Sequence, residues 1–430
     1  MIILGIETSC DETALSLIES DCKTLEDASF AVLSDYTLSQ AKLHEQYGGV
    51  FPSMAKREHS RNLIPLFRKI MEESKLENYK LQTTNSDFLQ EIENPRSAKA
   101  DRDYKLDALN SILEREPDLL KQFLEFIPTI EKPPIDLIAV TSGPGLEIAL
   151  WAGINFARAL GNIWDIPIMP INHMEGHVFS ALISREENSS LLNVPISFRK
   201  SRILDPLKRI GATRYTLHAP TFPAMALLIS GGHTELVLMK DWFVYEVVGQ
   251  TKDDAAGEAF DKIARFLSLP YPGGAKLSAL AKEAREKNIN SPFKLPRPMI
   301  HDPSLDFSFS GLKTAALYGI KKLNDLSESI KLGIARETED AISEVVTQKT
   351  SRAIEKYDAK SLIVAGGVAA NDNIRNSLEN LAHTRSMKFF LPEKEQTGDN
   401  ALMIATAGFI RSVSGEKTNP PLKALGSLSL

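Results

Sequence analysis

His173 and His177 stand four residues apart in the pentad His173-Met174-Glu175-Gly176-His177, and far downstream comes Thr397-Gly398-Asp399-Asn400. On a helix this spacing stacks both imidazoles on one face, where they reach a single metal ion. Asp399 is then the candidate third ligand. A pair of structural histidines in a core is the competing reading. The metalloprotease signature puts its glutamate directly after the first histidine. Here Met174 sits there and Glu175 is displaced around the helix by roughly 100°, so a zinc-peptidase mechanism starts without its base.

These residues must be positioned by elements whose pattern is visible in the chain. Met1 to Glu19 reads as an apolar strand, the turn Gly5-Ile6-Glu7-Thr8-Ser9-Cys10-Asp11-Glu12-Thr13, and a second strand, Ala14 to Ile18. Ala224 to Met239 has the same shape around Ser230-Gly231-Gly232-His233-Thr234. Small, hydroxyl-bearing turns expose backbone N–H groups, and glycine removes the Cβ that would hold a phosphate away. Two such hairpins suggest two similar lobes facing one ligand; two unrelated tight turns are the alternative.

Asp136 to Val140 is a strand ending in Thr141-Ser142-Gly143-Pro144-Gly145. The apolar stretch Ile148 to Leu160 that follows is a helix, either core or a dimer surface. Pro167 to Ile171 is a short strand leading into the histidine pentad. Leu362 to Asn371 reads as a buried strand, a double-glycine turn and a helix start, the way parallel α/β sheets present helix N-termini to nucleotides. Two stretches read as surface excursions: Glu72 to Pro134, with an amphipathic pattern from Leu106 to Phe126 broken at Pro117, and Arg185 to Pro223. The tail from Gly415 onward reads as loosely ordered.

At 430 residues, 43% hydrophobic and 25% charged, the composition is that of an ordinary soluble globular protein of two or three domains, and the strand and helix patterns above read as α/β. Met1 to Leu4 lacks the length and basic flank of a signal peptide. No apolar run escapes interruption long enough to span a bilayer. Cys10 and Cys22 give no disulfide framework, so no membrane role and a cytoplasmic location are expected. A net charge of −6 argues against nucleic-acid binding by overall electrostatics. Local basic clusters do exist, at Lys56-Arg57 with Arg61 and, more densely, at Arg199-Lys200, Arg202, Lys208-Arg209 and Arg214.

The ordered set of motifs resembles the universal tRNA threonylcarbamoyladenosine synthase family, once described as glycoproteases. It comprises the first turn, Gly48-Gly49-Val50-Phe51-Pro52 with Arg57-Glu58-His59, Gly143-Pro144-Gly145, the pentad and the Ser230 to Thr234 turn. It continues with Asp253 to Lys262, Pro272-Gly273-Gly274, Asp306 to Thr314, Gly366 to Asn371 and Asp399-Asn400. The resemblance runs from residue 1 to about residue 411, minus the two excursions. It implies the actin-like ATPase fold, two ribonuclease-H-like lobes around a nucleotide cleft. Residues 1–170 would form the first lobe, with an insertion at about 72–134. Residues 171–414 would form the second, with the metal and adenylate site, an insertion at about 185–223 and a final helix free to pack on the first lobe; 415–430 would be a tail.

It further implies transfer of a threonylcarbamoyl group from threonylcarbamoyl-adenylate to the exocyclic amine of the adenosine beside the anticodon, in tRNAs reading codons that begin with A. The resemblance carries over His173, His177 and Asp399 as ligands of one divalent metal, iron first and zinc second. Ser230, Gly231, Gly232, His233, Thr234, Asp261, Gly274 and Asn371 would bind the adenylate. Asp11 and Glu12 are candidates for positioning a phosphate-bound cation or water, with a polar capping turn as the alternative. Expected partners are tRNA, a shorter actin-like paralogue and a small P-loop ATPase, with ATP bound or hydrolysed in that complex. After Gly145 the chain departs from the family pattern: Leu146-Glu147-Ile148-Ala149-Leu150-Trp151 precedes Gly153, and Glu147 puts a negative charge beside a loop expected to face the ligand. An actin-like small-molecule kinase or carbamoyltransferase is the second hypothesis, a metallopeptidase the third and a binding-only paralogue the fourth.

Overall fold

Strand β1 (Ile2–Glu7) turns through Thr8 to Asp11 into β2 (Glu12–Glu19), paired antiparallel, and β3 (Ser29–Ser39) continues the meander. β4 (Leu137–Gly143) then runs parallel to β1, and β5 (Ile168–Asn172) parallel to β4. Parallel neighbours need a crossover, and the helix Glu147–Trp164 supplies it. The computed structural model describes residues 1–26, 28–74, 76, 107–186, 212–416 and 421–430. Residues 77–106 of the first excursion and the basic residues Arg199, Lys200, Arg202, Lys208 and Arg209 lie outside the described residues.

Two further strands, β6 (Ile183–Arg185) and β7 (Thr213–Leu217), lengthen this sheet, β7 pairing with the free edge of β3. Part of the segment read as a surface excursion is thus sheet. Covering an exposed edge removes unpaired backbone groups, and a five-residue strand is too short for its pattern to stand out. The second sheet repeats the first. β8 (Ala224–Ile229), β9 (Thr234–Asp241) and β10 (Val244–Gln250) form the antiparallel meander, and β11 (Ser361–Ala365) and β12 (Lys388–Phe390) add in parallel. The orders β3-β2-β1-β4-β5 and β10-β9-β8-β11-β12 are the same arrangement twice, which is the duplicated lobe of an actin-like fold.

Each sheet carries its own core on its outer face. The helices Pro52–Ser74, Pro117–Phe126 and Glu147–Trp164 close the first. Pro117 does not interrupt a single helix; it opens the second of two, at a first-turn position where its missing N–H costs nothing. Of the apolar side chains on Glu147–Trp164 only Ile148 is exposed, so that helix is core rather than a free face.

A third core lies between the sheets, built around the helices His173–Ala181 and Ala401–Ser414. Gly5 permits this: a Cβ there would sit 2.4 Å from the Ala401 carbonyl oxygen. The final helix therefore packs directly on the strands of the first sheet. The end of the chain is docked, not loose. Ala424 is buried in the first core, and Leu425 N donates to Ser142 O at 2.9 Å. Leucines spaced among prolines carry no helical or strand period, so this docking left no trace in the pattern. Among the described residues no helix is long and apolar enough to cross a membrane.

Candidate functional site

The pentad is the first turn and a half of the helix His173–Ala181, which begins where β5 ends. Asn172 caps it, its Oδ1 accepting from the N–H groups of Met174 and Glu175 at 2.9 and 3.3 Å. Both imidazoles are buried, with ring centroids 4.7 Å apart. Asp399 comes from the other end of the sequence, immediately before Asn400, whose side chain caps the helix Ala401–Ser414. The two helices pack side by side, so residues more than two hundred positions apart meet. Asp399 Oδ1 lies 3.1 Å from His177 Nε2 and 3.3 Å from His173 Nε2. The three candidate ligand atoms all fall within 4.8 Å of one another.

This donor set fits a divalent cation. Glu7 Oε2 lies 3.1 Å from His173 Nδ1 and also accepts from the Thr141 hydroxyl. A carboxylate on Nδ1 fixes that proton and leaves Nε2 its lone pair, the usual way a ligating histidine is oriented. The electrostatics agree. Burial, the largest influence, disfavours charge on all three groups, yet attraction between His173 and the carboxylates of Asp399 and Glu7 prevails. It raises His173 well above the usual imidazole range, lowers Glu7 and holds Asp399 well below the carboxylate range. Two carboxylates against two imidazoles call for added positive charge, which a cation supplies. Mixed imidazole and carboxylate ligation suits iron or zinc.

Glu175 is turned away. Its carboxylate takes Arg411 Nε and Nη2 at 2.7 and 2.8 Å and the Tyr245 hydroxyl at 2.8 Å, in a buried cluster. A peptidase-like general base is therefore not available from it.

His173 and Asp399 open onto a cleft of about 830 Å³ between the lobes, a size that accommodates a nucleotide-sized ligand. The first hairpin contributes Ser9 to Asp11 to its wall, and the second contributes Ser230 to His233. Cβ atoms at Gly231 or Gly232 would meet nothing within 4 Å, so both face open space. His233 is pushed down to about 4 by burial first and then by the neighbouring His173 and His177. Asp261 also lines the cleft, and its Oδ1 accepts from the N–H groups of Gly273 and Gly274 at 2.8 Å each. Burial, followed by the nearby Asp11 and Glu258, raises its pKa although those amides lower it. Its second oxygen remains for a ligand hydroxyl.

Three residues expected at the ligand stand behind this wall. Thr234 is fully buried, with its hydroxyl accepting from Ala256 N at 2.8 Å. Asn371 caps the helix Asp372–Thr384 through Oδ1, while its amide donates to Ser278 and Glu339. Gly274 opens the helix Gly274–Glu286 beside Asp261. Glu12 is on β2 beside Ser39, which donates to it at 3.2 Å, and burial with Asp399 and Asp11 pushes its carboxyl well above the usual range. Asp11 is the member of that pair on the cleft. Glu147 points to solvent in the first turn of its helix, where an acid favours the helix dipole; Leu146 takes the place on the cleft.

Sequence reasoning missed four contributors. Glu7 and His59 lay within quoted motifs but were given no part. His59 is fully buried, with Nε2 on Cys10 O at 3.1 Å and Nδ1 on the Thr13 hydroxyl at 2.8 Å, so it braces the first turn. Asn172, an N-cap type directly before the pentad, offered a readable signal. The fourth is the tail: Gly426 O accepts from Gly145 N at 3.2 Å and Ser429 O from Asn172 Nδ2 at 3.1 Å, and Gly426 lines the cleft.

Twin lobes of one topology, with a His/His/Asp cluster opening on the cleft between them, define an actin-like protein carrying a metal-type site. The sequence profile described as "tRNA N6-adenosine threonylcarbamoyltransferase" matches residues 31–83, 113–200 and 209–406. A protein of that name from Nitrosospira multiformis is 36% identical over 422 residues, covering 98% of this chain and 94% of its own. One from Herminiimonas arsenicoxydans is 37% identical over 412 residues, covering 96% and 92%. Among solved structures, component A of (R)-2-hydroxyglutaryl-CoA dehydratase from Acidaminococcus fermentans is similar with a TM-score of 0.41 at 11% identity, covering 96% of this chain and 98% of that one. The chain belongs to the tRNA N6-adenosine threonylcarbamoyltransferase family.

Proposed function

We propose that this protein is an acyltransferase that moves the threonylcarbamoyl group of threonylcarbamoyl-adenylate onto the exocyclic amine of the adenosine beside the anticodon, in tRNAs reading codons that begin with A, with AMP leaving. The observation that carries the reading is the convergence of His173, His177 and Asp399 at a cleft walled by two glycine-bearing hairpin turns, in a chain of this family. A small-molecule kinase of the same fold has no need of such a cluster.

In this reading His173, His177 and Asp399 hold one divalent metal, iron or zinc. The cation would supply Lewis acidity toward phosphate oxygens as charge builds on the departing AMP. The protein's own groups do the rest. The N–H groups of Gly231 and Gly232, which the turn's own hydrogen bonds leave over, face the same negative charge. Asp261 accepts from ribose hydroxyls. His233, neutral through the working pH range, offers a donor or an acceptor without repelling the metal. Adenine's amine is a poor nucleophile, so orientation beside the activated carbonyl outweighs deprotonation. Asp11 orders water or a cation near the phosphate. Thr234, Gly274 and Asn371 act by shaping the turn and helix starts behind this surface. The partners proposed are tRNA, a shorter actin-like paralogue and a small P-loop ATPase that binds or hydrolyses ATP, all in the cytoplasm.

The test is an assay of the purified protein, alone and with those partners, given threonylcarbamoyl-adenylate and unmodified tRNA and read by nucleoside mass spectrometry. Wild type is expected to form the modified adenosine. His173→Ala with His177→Ala is expected to lose bound metal and at least a hundredfold in turnover while remaining folded. Product on small-molecule acceptors alone would favour the kinase or carbamoyltransferase reading.

A further inference from the structure

The rim of the cleft carries an apolar surface that nothing among the described residues covers. Ten large hydrophobic side chains are markedly exposed among the described residues, and four of them, Leu38, Leu43, Tyr47 and Phe51, fall within one short segment. Tyr47 and Phe51 are 53% and 50% exposed, yet their rings stack on each other with centroids 5.5 Å apart and planes 27° from parallel. They are held in place. Gly48 takes the left-handed conformation (φ 66°) that ends the short helix Glu45–Tyr47, and Phe51 N donates to Nδ1 of the buried His44 at 3.2 Å. Between the two aromatics, Gly48 to Val50 line the cleft itself.

Arg265 faces them from the other lobe. It lines the same cleft, and a Cβ on Gly48 would lie 3.5 Å from its Nη1. It is exposed, and among the described residues no carboxylate lies within ion-pair distance of it. In a protein of net charge −6, an unpaired guanidinium at the mouth of a cleft is a place where phosphate is welcome.

We infer that Tyr47, Phe51 and Arg265 form a reception site for single-stranded RNA, with the two rings stacking an unpaired base next to the acceptor adenosine and Arg265 meeting its backbone phosphate. This deepens the proposed transfer reaction and rests on it. An adenine whose amine must reach the interior of the cleft has to leave the stack of its own loop, which strips its neighbour of a partner. Exposed aromatic faces replace that lost stacking, as single-stranded RNA sites commonly do. The platform borders the cleft into which the base must pass, so stacking and insertion take place on one continuous surface.

The test uses the full chain with its partners and compares Tyr47→Ala/Phe51→Ala, Tyr47→Leu/Phe51→Leu and Tyr47→Trp/Phe51→Trp. The Ala and Leu pairs are expected to raise KM for unmodified tRNA about tenfold with kcat within twofold and adenylate affinity unchanged, and the Trp pair to stay near wild type. Arg265→Ala is expected to raise the same KM and to flatten its salt dependence. A second readout is an anticodon stem-loop carrying 2-aminopurine beside the acceptor position, whose fluorescence is quenched on binding wild type and not on binding the Ala pair. Leu variants that behave like wild type, or Ala variants that lose a protein partner while keeping tRNA KM, would overturn the proposal. Wild type that quenches the stem-loop but forms no product would sink the transfer reading and leave the reception site standing.

Discussion

Glu7 meets the histidine pair through a single bond to Nδ1 of His173, and that bond decides which nitrogen of the ring is left for a cation. Glu7→Gln keeps an acceptor but removes the charge. Loss of such a supporting group typically costs ten- to a hundredfold in metal affinity, so chelator titration with metal analysis should show a drop of that order with the fold intact. His59 sets a pH dependence of a different kind. Cys10 O can only accept, so Nε2 carries the proton and Nδ1 accepts from Thr13. Burial pushes the ring down to about 4 from 6.5. The unfolded chain therefore takes up the proton first, and stability is complete above pH 6.5 and lost as pH falls toward 4. By linkage this is worth about 2 kcal/mol between pH 7.5 and 5. Urea denaturation at the two pH values should show wild type losing about that much more than His59→Gln; equal losses would contradict the assignment. The histidine pair was legible, because helical spacing alone puts His173 beside His177. Glu7 and His59 were not, because a supporting role depends on which strand lies next door, and residue type says nothing about that.

Hairpins, crossover helices and cap-bearing helix starts were readable because each has a local period or a local signal. Turn chemistry picked out Ser230 to Thr234, but not that Thr234 points inward to Ala256 N; a turn residue's side chain chooses between ligand and helix cap only when the next helix is in place. The tail had no period at all. Its hold on the site is made of backbone groups: Leu425 N to Ser142 O, Gly145 N to Gly426 O and Asn172 Nδ2 to Ser429 O. These tie the Gly143 to Leu146 loop and the cap of the histidine helix to one strap. Deleting residues 421–430 strands those groups and uncovers the pocket that holds Ala424. The expected result is a loss of about 1–3 kcal/mol in stability, at about 1 kcal/mol per net hydrogen bond, and about tenfold weaker AMP binding by calorimetry. A truncated chain that binds AMP as well as the full one would show that the strap is only a cover.

The two lobes share a sheet order, yet they are not independent bodies joined by a hinge, because the helices His173–Ala181 and Ala401–Ser414 fill the space between the sheets with a common core. One polar cluster sits in that seam. Glu175 on one helix accepts from Nε and Nη2 of Arg411 on the other and from the hydroxyl of Tyr245 on β10 of the second sheet, with Phe243 beneath the guanidinium at 4.8 Å. Because His173 and His177 lie on one of these helices and Asp399 just precedes the cap of the other, the seam and the site stand or fall together. Breaking a buried pair from one side leaves an uncompensated charge and typically costs 3–5 kcal/mol, whereas replacing both partners with apolar groups costs far less. Arg411→Met should therefore lower the unfolding free energy by about 3–5 kcal/mol. Glu175→Met with Arg411→Met should recover much of it, although Tyr245 then lacks its acceptor. Calorimetric unfolding followed in both lobes is the measurement. A single transition that shifts as a whole is expected, since the shared core couples the lobes. If Arg411→Met instead splits the transition, with the second lobe alone destabilised, the seam is a contact surface and each lobe folds on its own core.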